Sequence, residues 1–289
     1  MKTNESRRWT ARRKVSQAIL HIVLIFSLIL VLYPLLMMVF GAFKSGTEYN
    51  SNKWLPALPL RLSNLSDAFE SIRIYLFNTL IVALFGIVGM IVISSMSSFA
   101  ISKLKFKGNK VYFYLVLALT MVPGVLSLTS QFLLYRNFGM QDSLMALIVP
   151  MWTGGCVFGV FLLCSFYAGL PDELFEAASQ PVLKFRLDGA GDFIKYWKIA
   201  LPLSKPILAT LVIMQISGVW GDYIWPRLIL SQENYTIAAG LAFSFELVST
   251  TAQPIKFAGY LISAIPVVLL FIFFNRFYVE GLASSGLKL

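Results

Sequence analysis

The stretch "LFEAASQPVLKFRLDGAGDFIKYWKIALPLSKP", residues 174–206, is polar and charged inside an otherwise apolar chain. Just before it, Pro171 suits a first helical position. Asp172 and Glu173 follow in the first turn, where carboxylates favour the positive end of the helix dipole. Leu174, Phe175, Ala177 and Ala178 then make one short apolar face. Asp188-Gly189-Ala190 reads as a turn, and a second helix is expected over about 191–200, with Phe193 and Trp197 on one face. Pro202 is expected to stop that helix, and Pro206 to open the next apolar run. Two short helices with outward apolar residues fit a docking surface for a partner protein. They fit equally an amphipathic loop resting on lipid headgroups.

The surrounding chain sets the context. Of its 289 residues, 57% are hydrophobic and 13% charged, with a mean hydropathy of +0.74. Soluble domains carry about a quarter charged residues, so this composition is that of an all-α integral membrane protein. The net charge of +10 is then read as Lys and Arg on the cytoplasmic side, and no nucleic-acid partner is expected. Cys156 and Cys164 share one apolar run with no metal or redox spacing and are read as packing residues. The single His21 opens a long apolar run and is read as interfacial. Lys2, Arg7, Arg8, Arg12, Arg13 and Lys14 precede an apolar run over 19–43, long enough to span, so an uncleaved first helix is expected.

Five more spans follow from apolar intervals at 74–101, 111–135, 143–168, 206–230 and 257–276, which makes one transmembrane domain of six helices. Asp222 and Arg227 interrupt the outer end of the fifth. With a cytoplasmic N-terminus, the inside segments hold 17 Lys and Arg and the outside segments 7. Both termini therefore read as cytoplasmic, and residues 171–205 form a cytoplasmic loop between the fourth and fifth helices.

Glu176-Ala177-Ala178, then Asp188-Gly189-Ala190, then "IALPLSKP" resembles the signature loop of ABC importer permeases. "SSFAISKLKFKGNK" resembles that family's second cytoplasmic loop. "VWGDYIWP" and "ISAIPVVLLFIFFNRFYVEGLASSGLKL" resemble the fifth helix and the tail of its carbohydrate-uptake, maltose-permease-like branch. The resemblance covers nearly the whole chain and implies the type I permease fold. It implies that the loop is a coupling helix docking on a separate ATPase, with Glu176 as a polar docking contact and Gly189 at the turn. It also places the tail, residues 281–289, at the ATPases. The implied partners are a second homologous permease, two ATPase subunits that carry ATP and Mg, an extracytoplasmic solute-binding protein that touches the outer loop 231–256, and membrane lipid. No cofactor is expected on this chain, which lacks a phosphate-binding Gly-rich loop followed by Lys-Ser/Thr. The implied location is the cytoplasmic (inner) membrane.

The sequence departs from the pattern twice. Glu176 and Gly189 lie thirteen residues apart where the family has about six. Removing 180–186, "QPVLKFR", restores an unbroken loop. A helical break near Ser179–Pro181 and a bulge are expected, because Pro removes a donor and clashes with the previous turn. The insertion either alters docking or is a tolerated loop. In the fifth helix Gly221 stands where the family commonly has Asn, between Trp220 and Asp222. Asp222 either faces a cavity or reaches the outer interface.

Other residues for a substrate pathway are Asn78 and Gln131, with Trp220 and Tyr223 as aromatic faces and Trp152 a further aromatic candidate. Ser94, Ser95, Ser97 and Ser98 read as small residues for close helix packing. An ion-gradient-driven secondary transporter is the alternative. It calls for midplane charges and internal repeats, and one candidate charge with no inverted repeat supports it poorly. An intramembrane enzyme calls for a nucleophile–base pair or a metal cluster, which the sequence does not offer.

Overall fold

The computed structural model describes residues 2–171, 173–177, 190–246 and 252–286. They are mostly helical, with no strand among them. The helices run as α1 (Lys2–Ala42), α2 (Gly46–Ser51), α3 (Ser63–Lys103), α4 (Asn109–Thr120), α5 (Leu128–Asn137), α6 (Met145–Pro150), α7 (Cys156–Ala168), α8 (Glu173–Ala177), α9 (Ala190–Lys195), α10 (Leu201–Leu203), α11 (Lys205–Gly221), α12 (Ile224–Ile229), α13 (Ile237–Glu246) and α14 (Gln253–Gly286). Among the described residues, four helices are long and apolar enough to cross a membrane, or up to six if each of two bent pairs is one span.

The expected third span is one bent pair. Asn109–Thr120 and Gly124–Asn137 meet at 85°, with Pro123 at the bend. Pro123 cannot donate to the preceding turn, so the α-helical ladder cannot run through it. The expected fifth span also divides, since α11 ends at Gly221 and Asp222 adopts an extended conformation before α12. Pro202 does not stop the second loop helix. That helix continues to Leu203 and turns at Ser204, bending 71° into α11. A π-helical turn over Tyr196–Ala200 precedes Pro202, and another over Met151–Gly155 follows Pro150. Such wide turns let a helix absorb a proline that lacks its N–H.

Residues Met1–Glu70 with Leu247–Ile262 form one compact unit. Its centre is small: Ala42, Ala68 and Ala258 are fully buried. Phe257 lies flat over Gly41, where an added Cβ would sit 2.5 Å from the ring. The turn after α1 is fixed by polar contacts. Asn64 is buried, and its Nδ2 donates to the carbonyls of Ala42 and Lys44, both at 2.8 Å. Ser45 caps α2 by accepting from the Glu48 N–H, and Glu48 accepts from the Ser45 N–H in return. Lys44 is enclosed and its Nζ donates to Asn52 O at 2.7 Å. Burial pushes its pKa down, partly offset by the Glu48 carboxylate. By contrast, α1 over residues 14–36 leaves its apolar surface uncovered by this chain, the pattern of a helix solvated by lipid or a partner.

Residues Ser71–Glu246 with Ser263–Leu289 form the second unit. Here small residues let α3 pack closely on the helix from Met145 to Ala168. A Cβ at Gly89 would lie 2.1 Å from Trp152 Nε1, and one at Gly159 would lie 3.0 Å from Ser94. Trp152 Nε1 donates to Phe85 O at 3.0 Å. Ser94, Ser95 and Ser98 are fully buried, and Ser94 and Ser98 satisfy their hydroxyls on α3's own carbonyls. The serine cluster thus packs helices. Both cysteines are buried, as packing residues should be.

Asn64→Ala strips two buried carbonyls of their donor, at about 1–3 kcal/mol each. The expected result is a lower thermal midpoint in detergent, with little loss for Ser66→Ala, whose exposed hydroxyl bonds only to Ser63 O.

Candidate transport and coupling site

Two features stand out: the flanks of the charged loop, and a cavity at the break in α11.

The loop flanks converge on Phe99 of α3. Phe175 of α8, Tyr167 of α7 and Tyr196 after α9 place their ring centroids 6.1, 6.3 and 5.7 Å from it. All four rings are buried, with Leu163, Ala200 and Leu211 completing the cluster. Edge-on and tilted aromatic pairs at these separations are the favourable geometries. Polar contacts fix the directions: Tyr196 OH lies 2.8 Å from Ser95 Oγ, and Tyr167 OH donates to Ser204 Oγ at 3.3 Å, at the bend into α11. Lys103 Nζ donates to Leu170 O at 2.8 Å and sits 5.0 Å from the Phe175 ring centroid, within cation–π reach. Both ends of the loop are therefore tied to α3 and α7.

Glu176 and Ala177 close α8 and Ala190 opens α9. Ala178, Asp188, Gly189, the insertion 180–186 and the break expected near Ser179–Pro181 lie outside the described residues. Phe193 and Trp197 are exposed together, matching the outward apolar face read from their spacing.

The cavity has a volume of about 610 Å³ and lies between α3, the Met145–Gly155 segment, α11 and the start of α13. Gln215, Gly218, Asp222 and Thr236 line it, with Met151 and Trp225 among its apolar lining. A Cβ at Gly218 or Gly221 would meet nothing within 4 Å. Asp222 accepts the Trp225 N–H at 3.3 Å. Trp225 Nε1 donates to Ala146 O at 3.0 Å, which fixes the wall.

Of the predicted pathway residues, only Asp222 lines this cavity. Trp220 Nε1 donates to Ser263 O at 2.9 Å. Tyr223 turns its hydroxyl to Arg227, so that arginine pairs with the phenol next to Asp222. Asn78 Nδ2 donates to Tyr235 O at 3.2 Å, and Gln131 Nε2 to Ser127 Oγ at 2.8 Å in the bent pair. Thr236 escaped the sequence reading, because a lone threonine in a polar loop carries no local signal. Among the described residues no group of three or more His, Cys, Asp or Glu is placed to hold a metal.

A third feature joins two loops. Asp142 adopts φ 60°, and its carboxylate accepts from the Ser231 N–H at 2.7 Å and from Asn234 Nδ2 at 3.0 Å. These hydrogen bonds hold its pKa below the ordinary value, the Asn234 side chain most strongly. A carboxylate depressed in the folded state stabilises above its unfolded pKa, and the contribution is lost as pH falls through the folded one. Acidifying from about pH 5 to about pH 3 should therefore lower the thermal midpoint. Asp142→Asn, which tolerates the left-handed backbone, should show a shallower acid dependence.

Residues 90–280 match the family model "Binding-protein-dependent transport system inner membrane component". The chain is 30% identical over 281 residues to the probable ABC transporter permease protein YurM of Bacillus subtilis, covering 96% of this chain and 91% of that one. It is 29% identical over 280 residues to the maltodextrin transport system permease protein MalD of Streptococcus pneumoniae, covering 96% and 97%. It superposes with a TM-score of 0.77, at 20% identity over 92% of this chain and 97% of the other, on a chain of a bacterial ABC transporter involved in the import of the acidic polysaccharide alginate. The fold is that of an ABC importer permease, and the chain belongs to the family of inner membrane components of binding-protein-dependent transport systems.

Proposed function

We propose that this chain is one of two permease subunits of an ATP-driven importer that moves a sugar or oligosaccharide across the cytoplasmic membrane by alternating access. Its relatives' carbohydrate cargo supports the substrate class. ATP is hydrolysed by separate ATPase subunits, two per complex, which also bind Mg. A second homologous permease completes the pathway, and an extracytoplasmic binding protein delivers cargo to the outer loops. Both termini face the cytoplasm, as the distribution of Lys and Arg favours.

Coupling runs through the two ends of the loop, residues 176–178 and 188–190. Glu176, Ala177 and Ala178 on one side and Asp188, Gly189 and Ala190 on the other meet the ATPase. The observation that carries this reading is the Phe99 cluster, which grips both flanks of that loop. When the ATPase pair closes, a displaced loop must carry Phe175 and Tyr196 with it. Their packing moves α3 and α7, and Ser204 passes the movement to α11. Close-packed cores shift between discrete arrangements instead of deforming smoothly, which suits them to this transmission. Asp222 opens the substrate pathway at the other end of α11.

The test is the amount of sugar moved per ATP hydrolysed by the complete complex in proteoliposomes. Phe175→Ala removes an aromatic contact of about 1 kcal/mol beyond its area burial. The ratio should fall about fivefold, with Phe175→Tyr close to wild type. A wild-type ratio in Phe175→Ala would remove the cluster from the coupling route.

A further inference from the structure

We infer that this subunit itself contacts the cargo, through a polyhydroxyl-binding subsite in the 610 Å³ cavity whose fixed polar group is Thr236. The inference rests on the carbohydrate-import reading above and adds the site and the residue.

Thr236 is 1% exposed and lines the cavity. It stands at the N-terminus of α13, where a threonine hydroxyl ordinarily accepts a backbone N–H of the first turn. Here its Oγ1 has no hydrogen-bond partner among the described residues. A buried hydroxyl without a partner is costly, and native folds keep such groups for a reason.

The backbone around Thr236 is held firmly. Asn78 Nδ2 donates to Tyr235 O at 3.2 Å. The Ile237 N–H donates to Thr79 Oγ1 at 2.7 Å, and Thr79 Oγ1 donates to Tyr75 O at 2.6 Å. Gly240 allows this approach, since a Cβ there would lie 2.2 Å from the Tyr75 ring. Three neighbouring groups are thus satisfied, and the hydroxyl between them is not.

The cavity offers a matching ligand environment. Gln215 and Gly218, three residues apart on one face of α11, line it together with Asp222 just past the helix end. The Asp222 carboxylate accepts the Trp225 N–H at 3.3 Å, and a carboxylate with about four lone-pair sites keeps capacity for more donors. Trp225 and Met151 supply apolar surface. A carboxylate that needs donors, an amide and a hydroxyl that use either role, and an apolar wall together fit the alternating hydroxyls and C–H faces of a sugar. A simple cation would engage Asp222 and leave the apolar wall unused. The volume lies within the range of about 300–1,000 Å³ common for ligand sites.

The experiment uses the full complex in proteoliposomes with its binding protein and radiolabelled maltotriose, galactotriose and arabinotriose, measuring sugar moved per ATP. Thr236→Val keeps the shape and removes the hydroxyl. It should lower the ratio about fivefold, the worth of one neutral hydrogen bond, and Thr236→Ser should restore it. Gly218→Leu, built into open space, should block transport by filling the cavity. Wild-type ratios in both Thr236→Val and Gly218→Leu would overturn the subsite. Blocked transport in Gly218→Leu with a wild-type ratio in Thr236→Val would overturn the role of Thr236. If the wild-type complex moves none of the three sugars, the carbohydrate reading itself fails and the subsite with it.

Discussion

Phe99 sits where four segments of the chain meet. One ring on α3 packs against α7, against the short helix before the charged loop, and against the turn after it. Without that packing the loop would be two amphipathic pieces attached only through their ends. With it, both flanks belong to the helix bundle. Burying an aromatic side chain of this kind is worth roughly 3–5 kcal/mol by the cost of its removal. That is large against ordinary stability margins, so the flanks hold their register.

The second constraint is backbone satisfaction at membrane depth. A helix can be interrupted there only where protein or a cavity takes over its hydrogen bonds. The chain interrupts α11 at Asp222, and the carboxylate itself accepts a backbone N–H of α12. Trp225 then anchors the new segment to Ala146. The interruption leaves the cavity beside it, floored by Gly218 and Gly221, where no neighbouring atom fills the space. Ser204, at the other end of α11, is held by Tyr167. One helix therefore links the aromatic cluster to the cavity.

Much of this was legible in the sequence, for definite reasons. Membrane spans follow from uninterrupted hydrocarbon, and the loop stands out because its charges break that pattern. The helices around Phe175 and Phe193 follow from apolar spacing. Asp222 stood out because a carboxylate near an apolar span demands an explanation. What the sequence did not reveal is equally physical. Pro202 marked a stop, but a π-helical turn absorbed it. The span read over residues 111–135 carries an 85° bend that hydropathy cannot see. The Phe99 cluster draws on residues far apart in sequence and leaves no periodic trace. Asn78 and Trp220 were read as pathway residues from type and position. In the structure they donate to backbone carbonyls, Asn78 fixing the segment that carries Thr236.

The central claim is that the flanks of the loop transmit the ATPase movement and the inserted residues do not. The measurement that tests it most directly is cargo-stimulated ATPase activity of the reconstituted complex, with and without residues 180–186. Because Phe175 and Tyr196, which pack on Phe99, both lie outside the deletion, the account predicts that stimulation survives it. Loss of stimulation in a deleted complex that still assembles with its ATPases would contradict it and place the coupling in the inserted segment.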